Sequence, residues 1–123
     1  MFNIDFYRDS RGYCSIESFL DSLQEKAVRD KNSRIQWKQL TQYIQLLSDH
    51  GTQLGPNITK HLVEDIWELR PGDNRILFFF FCNNTFVLLH QFRKKTQKTP
   101  SREIERAKKE RDDWISRKGR FYG

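Results

Sequence analysis

The sequence predicts an α+β fold: a mainly antiparallel sheet, an N-terminal helical hairpin packed on one of its faces, and a C-terminal helix. Three observations carry this. Two runs, Ile76–Phe81 and Phe86–Leu89, are nearly pure Ile, Leu, Val and Phe, with the length and aromatic content of strands buried on both faces. Ahead of them lie two stretches whose apolar residues keep helical spacing. After them, Thr99-Pro100 opens a long charged segment with the signature of a helix start. At 123 residues the chain is read as one domain, 1–123, long enough for one core and too short for two.

Taken in order, Phe2–Arg8 alternates apolar and polar residues, with Phe2, Ile4 and Phe6 on one face of a half-buried strand. Arg11-Gly12 turns the chain, and Ser15 is placed to cap a first helix carrying Ile16, Phe19, Leu20 and Leu23 as its buried stripe. Asp30 or Asn32 caps a second helix with Trp37, Leu40, Ile44 and Leu47 on one side and Gly51 as its stop. A Gly-, Pro- and Asn-rich loop follows over 51–59, and Lys60–Val63 reads as an edge segment or part of a long bent strand. The strand Asp65–Arg70 ends at the turn Pro71-Gly72-Asp73. Cys82-Asn83-Asn84-Thr85 joins the two apolar strands, because paired Asn residues tolerate the positive φ of a tight turn. Strict alternation over Thr85–Phe92 sets Phe86, Leu88, His90 and Phe92 against Val87, Leu89, Gln91 and Arg93; one face meets the helices and the other can be wet towards its ends. The last helix, capped by Thr99, has a thin apolar stripe (Ile104, Ala107, Trp114, Ile115) and is expected to be poorly anchored, with 118–123 a frayed tail.

Charge is unevenly distributed. The net charge is +6, yet residues 1–69 hold 8 basic and 10 acidic side chains while residues 70–123 hold 14 basic and 6 acidic. This asymmetry points to a nucleic acid or an acidic protein as partner. Cys14 and Cys82 match no metal or redox spacing and read as reduced structural thiols. No stretch approaches the ~20 apolar residues of a membrane span, and the N-terminus lacks a signal-peptide layout, so the expected location is the cytoplasm, with no membrane partner. His50, His61 and His90 stand singly, without metal-ligand spacing, and no Gly-rich phosphate loop occurs; no metal or other cofactor is expected.

What remains is a cluster of cations at strand ends. Arg70 and Arg75 flank the first turn, and Arg93, Lys94, Lys95 and Lys98 leave the last strand. Such a cluster suits phosphate binding, and it also suits one reaction: attack of an RNA 2′-hydroxyl on the adjacent phosphate. Arg offers planar, bidentate donors to phosphate oxygens, and a crowded Lys can exchange protons. From the residues alone, a nuclease and a non-catalytic nucleic-acid-binding module both stay open.

The strings W-E-L-R, R-I-L-F-F and V-L-L-H-Q-F-R-K-K-T-Q-K-T-P, from Trp67 onward, resemble the HigB-like branch of the RelE/ParE superfamily of toxin–antitoxin toxins. The resemblance spans about Lys60 to Lys109. It implies a RelE-like (microbial RNase-like) fold and an endoribonuclease that cleaves mRNA, usually on the ribosome, and so inhibits translation. It also implies a co-encoded antitoxin, often a helix-turn-helix protein. On this resemblance Arg70, Arg75, Lys94 and Lys95 are the catalytic candidates, Lys60, Arg93 and Lys98 bind RNA, and the proton-accepting Lys is Lys60, Lys94 or Lys95. The ParE branch shares the fold but poisons DNA gyrase, so a gyrase-directed toxin is the alternative.

Overall fold

Five strands form one sheet in the order β1-β5-β4-β3-β2. A computed structural model describes the backbone of residues 1–122 and the side chains of residues 1–118. The elements are β1 (Asn3–Phe6), α1 (Ser15–Lys26), α2 (Lys31–His50), β2 (Thr59–Val63), β3 (Ile66–Leu69), β4 (Asn74–Phe81), β5 (Thr85–Arg93) and α3 (Ser101–Tyr122). β1 runs parallel to β5, and every other neighbouring pair is antiparallel. This is the expected α+β architecture, and the apolar strands β4 and β5 lie inside the sheet, where both faces are covered.

The α1–α2 hairpin covers one face. Ile16, Leu23, Leu40 and Leu47 pack there against Leu69, Ile76, Phe78, Phe86 and Leu88. Asp30 caps α2 through Asn32 N at 3.0 Å, while the α1 cap is Cys14, whose Sγ accepts from Glu17 N, rather than Ser15. Burial raises the Cys14 thiol pKa. Gly51 ends α2 at φ 67°, and a Cβ there would meet the Phe2 ring at 2.7 Å, so the stop also lets β1 approach the helix. Asn83 and Asn84 take φ of 60° and 58°, as the β4–β5 turn requires. Cys82 lies exposed in that turn, one residue past the end of β4.

The opposite face is not left wet. There α3 packs Ala107 and Trp114 onto Ile66, Leu77, Phe79, Val87 and Leu89. Burying a large apolar side chain stabilises by about 1.5–3 kcal/mol, and α3 buries few, so polar links complete its anchoring. His90, fully buried on β5, meets Glu110 at 2.6 Å through Nδ1 and Glu103 at 3.0 Å through Nε2. Arg111 reaches Asp65 at 2.6 Å and Glu64 at 3.0 Å in the β2–β3 turn, and Lys108 reaches Glu64 at 3.3 Å. Tyr7 donates to Asp113 at 2.7 Å, and Arg117 holds the same carboxylate at 2.6 Å. The helix expected to be poorly anchored is therefore joined to three parts of the molecule. Its backbone is helical through Tyr122; Gly123 and the side chains of 119–122, on which the expected tail falls, lie outside the described residues.

Strict alternation along β5 fails at one point. Leu77 pairs with His90 but Phe78 pairs with Leu88, so Leu89 is an extra residue in a β-bulge. Before the bulge, Phe86 and Leu88 face the hairpin; beyond it, His90 and Phe92 face α3, and Gln91 and Arg93 face the hairpin. The bulge thus decides on which side each residue of the basic end of β5 begins.

Candidate functional site

The site is built where the ends of β3 and β4 meet residues 94–100, which link β5 to α3. On β3, alternation turns Trp67 and Leu69 to the hairpin and Ile66 and Glu68 to the α3 side. Glu68 is 3% exposed and pairs across the sheet with Lys60 on β2 and Leu77 on β4. Its Oε1 accepts a 2.6 Å hydrogen bond from Thr99 Oγ1. Its Oε2 lies 3.6 Å from Arg70 Nε and 3.9 Å from Arg75 Nε. One buried carboxylate therefore holds two arginines and the linking segment together, with charge opposed to charge.

Arg75 is 5% exposed and forms the floor of this arrangement. Its Nη1 donates to the carbonyls of Gly72 at 2.6 Å and Asn74 at 2.8 Å, which fixes the guanidinium against the Pro71–Asn74 turn. Burial pulls its pKa below the ordinary arginine value, against the attraction of Glu68, and the group remains a cation. Phe92, Lys94, Thr96 and Lys98 close over it, leaving a gap of about 10 Å³, room for about one water. In this arrangement residues 94–100 cover the guanidinium.

The other candidates divide. Lys94 lines the gap beside Arg75, and its backbone N–H is tied to Asp73 O at 2.8 Å. Lys98 lines the same gap and also the neighbouring cleft, while Lys60 lines that cleft alone. Lys95 is exposed and lines neither. Arg70 is half-covered, donating to Pro56 O at 2.8 Å. Arg93 points to the other side of the sheet, where it meets Gln36 at 2.9 Å and Asp73 at 3.7 Å. So Arg70, Arg75, Lys94, Lys98 and Lys60 are brought to one region, and Arg93 is turned from it by the register that the bulge sets. Among the described residues Lys60, Lys94, Lys95 and Lys98 form no ion pair.

Glu68 and Thr99 were missed as site residues from the sequence. Thr99 reads as a helix cap, but α3 begins at Ser101, with Pro100 O accepting from Glu103 N, and the Thr99 hydroxyl goes to Glu68 instead. The available signal was Glu68 itself: a carboxylate between two apolar residues on a strand with cations at i+2 and i+7 implies a buried charge that must be paired.

A family model described as phage derived protein Gp49-like (DUF891) matches residues 19–112, most of the chain, from α1 through the site into α3. The chain belongs to the Gp49-like family. No curated protein matches it in sequence. Among solved structures, the Gp49-like chain is similar to the YoeB dimer from Staphylococcus aureus at 14% identity and TM-score 0.49, over 77% of this chain and 98% of that one. The YoeB–YefM complex from the same organism aligns at 12% identity and TM-score 0.48, over 78% and 99%. A heterotetrameric YoeB–YefM toxin–antitoxin complex, also from Staphylococcus aureus, aligns at 13% and 0.48 over the same shares.

Proposed function

We propose that this Gp49-like chain is the toxin of a type II toxin–antitoxin pair, of the HigB-like branch, and that it is an endoribonuclease acting on ribosome-bound mRNA. In this reading residues 1–123 work as one toxin domain in the cytoplasm, held silent by a co-encoded antitoxin with a helix-turn-helix. The observation that carries it is the unpaired lysines 94 and 98 lying directly over the Arg75–Glu68 floor, with Lys60 one strand away. Cations gathered around one point suit a reaction in which charge builds on phosphorus.

The step is an in-line exchange at phosphorus. The 2′-oxygen bonds to phosphorus, the bond to the 5′-oxygen breaks, and the products are a 2′,3′-cyclic phosphate and a 5′-hydroxyl end. Lys94, beside Arg75 and acting as the neutral amine, is assigned the 2′-hydroxyl proton, the departing 5′-oxygen takes a proton from water, and Arg75 is assigned the charge on the phosphoryl oxygens. Lys60, Lys95 and Lys98 hold flanking phosphates, and Arg70 keeps Glu68 in place. For a phosphate to reach Arg75, residues 94–100 must lift, which breaks the Thr99–Glu68 hydrogen bond. Glu68 is a positioning residue: it holds Arg75 and Arg70 at a set angle to the incoming strand.

The burial of Arg75 favours a second reading, in which the lysines bind RNA, nothing is cut, and Arg75 only braces the turn. Primer extension on cellular mRNA after brief induction separates the two. Discrete stops within codons, with 5′-hydroxyl ends, are expected; uncut mRNA with stalled growth would favour binding alone, and DNA breaks would indicate a gyrase-directed toxin. Because the cations carry the developing charge, cleavage of naked RNA should persist in EDTA. Loss in EDTA with recovery on one divalent ion would count against the assignment.

A further inference from the structure

Beside the closed gap at Arg75 lies an open cleft of about 340 Å³ between β2 and the start of α3, lined by Lys60, His61, Leu62, Gln97, Lys98, Thr99 and Ile104. Gln97, Lys98 and Thr99 line both. We infer that this cleft is the seat of a single unstacked nucleobase of the RNA strand, next to the scissile phosphate, with Gln97 as the residue that reads it. The inference rests on the endoribonuclease reading above and adds to it a source of sequence preference.

The chemistry of the walls is specific. Leu62 and Ile104 are half-buried and apolar, suited to the faces of a planar ring; the Gln97 amide supplies a donor and an acceptor for its edge. Lys60 and Lys98 stand at the rim without ion pairs among the described residues, where a nucleotide has its phosphates. Among the described residues no carboxylate lines the cleft, which suits a polyanion. Its volume is at the lower end of the ~300–1,000 Å³ range of small-molecule sites, fitting one base and its sugar rather than a duplex. Proteins that read RNA sequence do so on splayed single-stranded bases, by stacking and by contacts to the base edge. The cleft is also open while the Arg75 gap is shut, so a base can seat first. Its neighbouring phosphate then meets Lys98 and Lys94 on the segment that has to lift.

The test joins binding to cleavage pattern. Methyl NMR of the full chain is titrated with the four nucleoside 5′-monophosphates, with inorganic phosphate, and with a poly-glutamate peptide. Saturable shifts at Leu62 and Ile104 are expected with nucleotides, differing several-fold in affinity among the four bases, and absent with phosphate. Cleavage of a random-sequence RNA by Gln97→Ala should show the base preference at one position next to the cut reduced at least five-fold; Ile104→Glu, which blocks the cleft, should raise KM. Methyls that stay still with every nucleotide, or that move equally with phosphate, overturn the inference. So do methyls that move only with poly-glutamate, which reassign the cleft to an acidic protein. Nucleotide-dependent shifts in a chain that cuts no RNA keep the cleft and overturn the nuclease reading. RNA cut with an unaltered pattern by Gln97→Ala and with unmoved methyls does the reverse.

Discussion

Arg75 and Lys94 sit side by side over the same gap, yet their removal should have different consequences. Arg75→Ala leaves the Gly72 and Asn74 carbonyls without their donor and Glu68 without one of its two cations. Leaving a buried acceptor unpaired destabilises by about 1–3 kcal/mol, so this variant should melt lower as well as lose toxicity. Lys94 makes no ion pair among the described residues and is only half-covered, so Lys94→Ala should change stability by no more than about 0.5 kcal/mol, as ordinary surface changes do. On the proposed mechanism it should still lower the cleavage rate by about 10²-fold or more, in the range for general acid–base groups. Thermal melts beside single-turnover cleavage check both; a folded Lys94→Ala variant that cuts at full rate would remove it from the proton-transfer role. The identity of the cations was legible in the sequence, because strand ends separated by turns bring Arg70, Arg75 and Lys94 together. Their burial was not, since it depends on where Thr99 bonds and on the other face being roofed.

At the scale of elements, the strands and both hairpin helices were legible because their patterns are dense: Ile76–Phe79 and Val87–Leu89 leave little but a doubly covered strand. The bulge at Leu89 was not legible, since no local residue marks it, and it reverses the faces of every residue from His90 on. The anchoring of α3 was hidden for a related reason. Its apolar stripe is thin, and its hold comes from ion pairs and hydrogen bonds to residues on other elements, which periodicity cannot register. Those links make docking depend on pH. The Tyr7 hydroxyl and Arg117 hold the Asp113 carboxyl below its ordinary value, and Arg111 and Lys108 do the same for Glu64. Burial, with Asp113 adding to it, pushes the Tyr7 hydroxyl from 10.0 up to about 12. Carboxyls with a lowered folded pKa contribute stability that is full above their unfolded values, 3.8 and 4.5, and is lost as pH falls through the folded ones. A phenol with a raised folded pKa contributes below pH 10 and loses that contribution as pH climbs to about 12. Amide NMR signals of α3 should therefore broaden or shift in acid before those of α1 and α2, and Asp113→Asn should blunt the response. Acid unfolding of all three helices together would show that these links do not govern docking.

For the whole molecule, the sequence shows a basic second half, and the fold shows how much of that charge is free. On α3 the cations are largely matched: Arg106 with Glu110, Lys108 with Glu64 and Glu105, Arg111 with Glu64, Asp65 and Asp112, and Arg117 with Asp113. At the site, Lys60, Lys94, Lys95 and Lys98 have no acidic partner among the described residues. A polyanion binding here displaces no internal ion pair, so Lys60, Lys95 and Lys98, with Arg75 at the scissile phosphate, should act as four phosphate contacts. At ~0.7 counterions released per single-strand phosphate, the affinity for a short single-stranded RNA should fall with a log–log salt slope of about −3. Replacing Lys95 and Lys98 by Ala should flatten it to about −1.4, because two contacts remain. Replacing Lys108 and Lys109 should leave it close to the wild-type value: Lys108 is held 3.3 Å from Glu64 and 3.5 Å from Glu105, and an exposed Lys109 acts only through a field that salt screens within ~10 Å. Fluorescence anisotropy across a range of salt concentrations measures all three. If replacing Lys108 and Lys109 changes the slope and replacing Lys95 and Lys98 does not, RNA crosses the helix, and the site has to be moved there.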